Sequence, residues 1–406
     1  MNILFIHRSY PGQFKYISTV LALEPKNKVV FITEEEGSQM GNLPIYKILY
    51  KPEQIISNNF NPYLTNYENA VLHGKAVMQK AIELKQIGFK PDVIVGFSGW
   101  GSSMFIKNVF PDVPFLLYCE WYGQVEGSKF GFGQSSVILE DKIKLRCDNS
   151  TVLTALEAYD AGISPTNWQK SQFPKEYQDK IHVVHDGIDT GRFNPDENVK
   201  FLIKEKNLEL TAQDEVITYG TRGFEPCRGF PQFMETVVKL LKNRPNAHFV
   251  IAGNDTVHYS PIKDKTYKEI MLEKLDLENS QEFKKRVHFV GTLPFEEYRK
   301  FLQVSSAHIY LTYPFVLSWS LLEAMSSGCC VMGSNTAPVL EVIEDNYNGL
   351  LTDFFNVNML VEKIEYAMEN KEKMKEIRQN ARQTVIDKYD LKKVLPQQIK
   401  ILTSLL

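Results

Sequence analysis

Short, nearly unbroken apolar runs recur along this chain, separated by amphipathic stretches. Asn2–His7, Val29–Thr33, Asp92–Phe97, Phe115–Glu120 and His182–His185 are rich in β-branched and aromatic residues and do not alternate with polar ones. That pattern predicts strands covered on both faces in a parallel sheet. Between them, Phe14–Leu23, Asn66–Ile87 and Leu139–Tyr159 carry apolar residues at helical spacing. The first half therefore reads βαβα. The same grammar restarts with strands at Val216–Gly220, His248–Gly253, Val287–Val290 and Ile309–Leu311, and helices at Phe230–Leu241, Tyr267–Leu275, Phe295–Leu302 and Ser318–Met325.

The stretch 186–214, with Gly187, Gly191, Pro195 and several charges, reads as a hinge. The expected division is a first domain over 1–190, a second over 191–385, and a C-terminal helix over 386–406 packing back toward the first. Asn356–Asp390 holds charged amphipathic helices, and Leu391–Leu406 adds another, interrupted by Pro396. The fold class is α/β. Two doubly wound domains in succession put their ligand crevices at strand carboxyl ends, where they can face each other across a cleft, an arrangement suited to joining two substrates.

At 406 residues the chain exceeds the ~250–300 at which a single core stops growing, which supports two domains. A formal charge of -3, with no basic stripe, argues against a nucleic-acid partner. The N-terminus enters a strand at once, without the basic and apolar regions of a secretory signal. No run approaches ~20 apolar residues, so no transmembrane segment is expected and peripheral membrane contact is the remaining option. The five cysteines are odd in number and show no C-x-x-C spacing, so reduced, buried thiols in a cytoplasmic protein fit best.

Candidate chemistry concentrates at Pro314–Gly328. Ser318 or Ser320 can cap the helix that opens there, leaving the first-turn amides of Trp319 and Ser320 to meet an anion such as phosphate. Glu323, one turn on, can accept both hydroxyls of a ribose diol, and Gly328 closes the helix as its C′ residue. At the end of the second domain's first strand, Tyr219–Phe230 brings Thr221, Arg222 and Arg228 together among three glycines. The alternative for the arginines is a solvated surface or an ion pair with Glu225.

These segments resemble the retaining nucleotide-sugar glycosyltransferases of family 4, in a bacterial branch, whose fold is called GT-B. The resemblance rests on Glu323-Ala324-Met325, Gly328, Val331–Ser334, Glu341-Val342-Ile343 and Asn348-Gly349. It implies that Arg222 and Arg228, the latter in place of a lysine, grip the donor diphosphate and stabilise the leaving group. It further implies that Glu323 holds the ribose and that Thr292 and Leu293 pass the base. An ordinary strand-to-helix loop is the alternative for that last pair. One position departs: Phe315 stands where the family has its first glutamate, which meets donor-sugar hydroxyls.

In the first half, Pro91–Gly101, Tyr118–Tyr122, Ser164–Gln169 and His185–Asp189 resemble the family's acceptor-side domain. Phe97 stands where that branch often has a histidine. Gly12 matches a loop where backbone approaches the diphosphate, or is only a turn. Glu120 is placed to meet an acceptor or sugar hydroxyl, or to be capped or ion-paired. Trp100 either stacks on a sugar or, the reading its size favours, fills the core. His185 reads as shaping a turn, and Asp186 and Asp189 as turn residues.

The resemblance implies a nucleotide-sugar donor as co-substrate, a UDP-sugar first, and a saccharide or lipid-linked acceptor, with domain closure over the donor. No D-x-D occurs, so a metal clamp has no sequence support and no cofactor is expected. Rival readings are an epimerase, a phosphorylase, a non-catalytic nucleotide-sugar-binding relative and, lacking G-x-G-x-x-G, a dehydrogenase.

Overall fold

A computed structural model describes residues 1–34, 42–53, 61, 63–128, 130–133, 137–256 and 264–406. The chain forms two compact units: Met1–Gly187 with Leu391–Leu406, and Ile188–Asp390. The crossings fall slightly before residue 190 and after residue 385, the boundaries expected from sequence.

Among the described residues the first unit's sheet has seven strands, all parallel: β1 Asn2–Ile6, β2 Lys28–Thr33, β3 Ile45–Leu49, β4 Val93–Phe97, β5 Phe115–Tyr118, β6 Ala161–Ser164 and β7 Ile181–Val183. They lie in the order β3-β2-β1-β4-β5-β6-β7. Two apolar clusters cover its faces. One gathers Leu4, Ile6, Val30, Ile32 and Ile94, the other Ile3, Phe5, Val29, Phe31 and Val95. Neighbouring residues of one strand thus enter opposite cores, which is why these strands read as continuous apolar runs.

The stretch expected as a hinge is structured. It contains an antiparallel hairpin of β8 Lys200–Ile203 and β9 Leu208–Thr211, whose Phe201, Ile203 and Leu210 join the second unit's core. The alternating burial along β8 records a strand with one face inside.

The second sheet holds, among the described residues, β10 Val216–Gly223, β11 His248–Asn254, β12 Val287–Gly291, β13 Ala307–Tyr310, β14 Val331–Ser334 and β15 Leu350–Thr352. All are parallel, in the order β12-β11-β10-β13-β14-β15. In each sheet the winding direction reverses once, between β1 and β4 and between β10 and β13. Those are the points where such sheets bind ligands, outside the strand carboxyl ends.

The last helix, Leu391–Thr403, runs through Pro396 instead of being interrupted by it. It packs on the helix Lys15–Leu23 of its own unit, burying Val394 and Leu402, and Gln398 Nε2 donates to the His185 carbonyl at 2.8 Å. That packing offsets the hydrogen bond a mid-helix proline removes. Among the described residues no helix is long and apolar enough to cross a membrane.

Candidate active site

The second unit's switch point is hollow. A cavity of about 460 Å³ opens between the carboxyl ends of β10, β11 and β13. Its shape begins with a bulge. The β10–β11 register shifts between Gly220 and Gly223, which takes Thr221 and Arg222 out of the regular ladder and re-aims their side chains. β11 can follow this bend because Gly253 adopts φ +135, and a Cβ there would lie 2.1 Å from the Thr221 carbonyl oxygen.

Beyond the bulge a 3₁₀ turn, Pro226–Arg228, leads into the helix Phe230–Asn243 through Gly229 at φ +72. A Cβ on Gly229 would sit 2.4 Å from Leu311 Cβ, so only glycine lets this turn lie against β13's end. The turn carries Arg228, which is held on several sides. Tyr219 Oη donates to its carbonyl at 2.9 Å, Nη1 donates to Thr312 Oγ1 at 2.8 Å, and the guanidinium carbon lies 5.9 Å from the Phe315 ring centroid. Phe315, the departure from the family pattern, thus packs on one of the two cations. Arg222 is exposed. Among the described residues neither arginine makes an ion pair, so the ion pair with Glu225 weighed from sequence is not formed.

Ser318 caps the helix Trp319–Ser326 as expected, but its capping bond changes the anion geometry. Its backbone, at φ -78 and ψ 143, directs Oγ to accept from the Ser320 amide at 3.3 Å. The Ser320 amide, expected to be open to an anion, is therefore engaged, and the Ser320 side chain lines the cavity instead, with its Oγ 2.9 Å from Ser318 Oγ. The Ser318 amide is fixed by donating to Tyr310 Oη at 3.0 Å. Burial raises the pKa of Tyr310, and the nearby Arg228 charge partly opposes this. Gly328 closes the helix at φ +81, as the sequence predicts.

Of the residues singled out, Thr221, Arg222, Arg228, Thr292, Leu293, Ser318 and Ser320 line this one cavity. Trp319 is not part of the lining; it lies at the surface, 36% exposed. Glu323 is reached through a residue the sequence did not reveal. Tyr298 lines the cavity and donates its hydroxyl to Glu323 Oε2 at 3.0 Å. Burial and then the carboxylate's charge push that phenol well above its ordinary pKa, keeping it a neutral donor. Asn254, also in the lining, escaped notice too. Its only sequence signal was its place directly after the Gly253 that ends an apolar run.

The remaining candidates belong to the first unit. Gly12, at φ +53, sits where a Cβ would come within 2.4 Å of the His7 ring, so the turn after β1 admits no side chain there. Glu120, just past β5, accepts from Gln13 Nε2 at 2.5 Å, and its carbonyl accepts from the buried Gln169 side chain at 2.8 Å. Gln169 is in turn fixed by the Thr166 cap, which explains the Ser164–Gln169 segment. Phe97 is buried.

Trp100 does not fill the core. It is 43% exposed, stacked on Phe97 with centroids 4.7 Å apart and planes 13° apart. His185 accepts the Gly187 amide at 3.0 Å and burial lowers its pKa to about 4, in keeping with a turn-shaping role. Asp189 accepts from the Arg192 amide at 3.1 Å as a turn residue. Asp186 instead accepts a buried 2.7 Å bond from Tyr118 Oη.

The comparisons agree with this architecture. A family model described as Glycosyl transferase family 4 group matches residues 25–193, and one described as Glycosyl transferases group 1 matches residues 191–384. No curated protein matches the chain closely enough to count as a relative. Among solved structures, sucrose-phosphate synthase from Thermosynechococcus elongatus is similar at TM-score 0.74 and 15% identity, covering 100% of this chain and 99% of that one. Anabaena HepE in complex with UDP-glucose is similar at TM-score 0.70 and 16% identity, covering 100% of both chains. A glycosyltransferase from Rickettsia africae follows at TM-score 0.62 and 17% identity, covering 100% and 98%. Two parallel sheets each reversed once, and two glycosyltransferase models that between them take up nearly the whole length, make this chain a glycosyltransferase of the GT-B fold.

Proposed function

We propose that the chain moves a hexosyl group from a nucleoside-diphosphate sugar, a UDP-sugar first, to a saccharide or lipid-linked acceptor in polysaccharide or glycoconjugate synthesis. The second unit is the donor-binding one. The observation that carries this is the pair of arginines lining one cavity, neither with a carboxylate partner among the described residues. Two guanidiniums that form no ion pair among the described residues favour a multiply charged anion, and a diphosphate offers both charge and bidentate oxygens. Glu323 then takes the ribose, the Thr292–Leu293 loop passes the base, and the Ser318 and Ser320 hydroxyls meet phosphate oxygens. Anabaena HepE has been solved with UDP, with UDP and glucose, and with UDP-glucose, which supports testing uridine donors first.

In the reaction the bond from the anomeric carbon to the β-phosphate oxygen breaks, and its electron pair leaves on the diphosphate. The acceptor oxygen bonds to the same carbon on the same face, and its proton passes to the departing phosphate. Arg222 and Arg228 stabilise the negative charge that grows there. Glu120, in the first unit, serves the acceptor.

Titration calorimetry with UDP tests the donor site, and turnover of UDP-glucose with a panel of glycoside acceptors tests transfer. The anomeric configuration of the product by NMR tests retention. Absence of UDP binding overturns the reading. Phe315, in place of a sugar-binding carboxylate, favours one alternative, a non-catalytic nucleotide-sugar binder. UDP binding without turnover of any nucleotide sugar would select it.

A further inference from the structure

The first unit's switch point carries a feature that donor binding leaves unused. Trp100, in the loop after β4, is a bulky residue at φ +56, a conformation rare for side chains of its size. It is held there from both sides. Gly101 follows at φ +81, with a Cβ position only 2.1 Å from the Ala70 carbonyl oxygen. One indole face lies on Phe97, and its ring meets His7 edge-on at 5.6 Å. Phe97 is stacked in turn on Tyr118 at 5.8 Å, its register partner on β5. The rings form a rigid stack, and 43% of Trp100 remains open to solvent. A strained backbone that presents an apolar ring to water points to a ligand for that ring.

We propose that the first unit binds a neutral pyranose ring of the acceptor on the open face of Trp100. This rests on the glycosyltransferase reading. A pyranose has an apolar C–H face that suits an indole and a rim of hydroxyls that need polar partners. The carboxylate of Glu120, just past β5, and the amide of Gln13, in the 3₁₀ turn Gly12–Phe14 that follows β1, are bonded to each other, and β5 and β1 are the strands on either side of β4. The two side chains supply an acceptor and a donor group at the same sheet end. The negative face of the indole and the Glu120 carboxylate both disfavour an anionic sugar, so the ring is neutral.

The chain has four tryptophans, few enough for 5-fluorotryptophan labelling to give resolvable fluorine resonances, with Trp100 assigned by its loss in Trp100→Phe. Titration with the methyl α-glycosides of glucose, galactose and mannose should shift the Trp100 resonance with at least one of them, in the presence or absence of UDP. If no glycoside moves it, the proposal is wrong. If UDP-glucose moves it while UDP and the free glycosides do not, the ring belongs to the donor and the acceptor assignment is overturned.

With an accepted glycoside in hand, Trp100→Ala should raise the acceptor KM by roughly 2–10-fold and leave the donor KM unchanged, with Trp100→Phe restoring most of the loss. Equal damage from Trp100→Ala and Trp100→Phe would mark a structural role and sink the platform. UDP binding by calorimetry together with an unmoved Trp100 defeats this proposal alone, whereas absent UDP binding defeats the donor reading.

Discussion

The two sheets reverse direction in the same way but finish that position differently. Between β10 and β13 the second unit leaves a cavity edged by two guanidiniums that, among the described residues, have no carboxylate partner. Between β1 and β4 the first unit packs the rings of His7, Phe97 and Trp100 into the corresponding place, leaving an exposed indole and a carboxylate at the sheet's end. One strand grammar thus fixes where a ligand binds, while the loops decide which ligand it is. Charge dominates one switch point and aromatic surface the other.

The largest effect that would test this separation comes from the two glycines that shape the loops. Gly229→Ala and Gly101→Ala each place a Cβ within 2.4 Å and 2.1 Å, respectively, of fixed neighbours at positive φ. Backbone strain and overpacking together should cost roughly 3–5 kcal/mol each, read as a lowered urea midpoint. Where both variants remain folded, only Gly229→Ala should lose UDP affinity, because its turn carries Arg228. Equal loss in Gly101→Ala would show that the two switch points are not independent.

Next in size is the acid limit of each unit. His185 in the first and His308 in the second are both buried, and burial lowers each pKa to about 4. Since the unfolded value is near 6.5, the unfolded chain binds protons first as pH falls. The stability these neutral rings contribute is complete above pH 6.5 and is lost between there and about 4, on the order of 3 kcal/mol for each. Urea midpoints measured across that window should fall steeply. His308→Gln, which keeps a partner for Thr218 Oγ1, should flatten the slope for the second unit's transition alone.

The central strands were legible in the sequence because burial on both faces leaves an unbroken apolar signature. β3 was not, since its residues at the sheet edge, Tyr46 and Lys47 among them, are exposed, and β6, Ala161-Gly162-Ile163-Ser164, is too small and short to stand out. The crossing between the units does fall within the stretch 186–214, at Gly187–Ile188, but the β8–β9 hairpin that fills its later part is hidden by the turn residues Gly187, Gly191 and Pro195 ahead of it. The donor-side candidates were legible because glycines and arginines cluster in sequence. Tyr298 was not, because its bond to Glu323 passes from one helix to the next across an intervening strand, a contact that no local spacing announces. Likewise, nothing local shows that the Ser318 cap occupies the Ser320 amide.

Of the two cations, Arg228 is anchored and Arg222 is not, so they should differ in binding. Arg228→Ala removes a preorganised charged donor and should weaken UDP binding roughly 10–100-fold by calorimetry. Arg222→Ala should cost less, because an exposed side chain loses rotamer freedom when it closes on the diphosphate. A larger loss at Arg222 would place the diphosphate nearer the β10 bulge than the 3₁₀ turn.

The smallest effect isolates Phe315. Its ring lies against Arg228, 5.9 Å from the guanidinium carbon, a contact worth about 0.5–1 kcal/mol where water has access. Phe315→Leu keeps the apolar bulk but not the ring's negative face, and should weaken UDP binding by about 2–5-fold. Phe315→Glu restores the carboxylate the family has here, yet it should weaken UDP binding further, because the new charge would pair with Arg228 and compete with the diphosphate. If Phe315→Glu tightened UDP binding instead, Arg228 would not be a phosphate ligand, and the contrast between a charged and an aromatic switch point would rest on Arg222 alone.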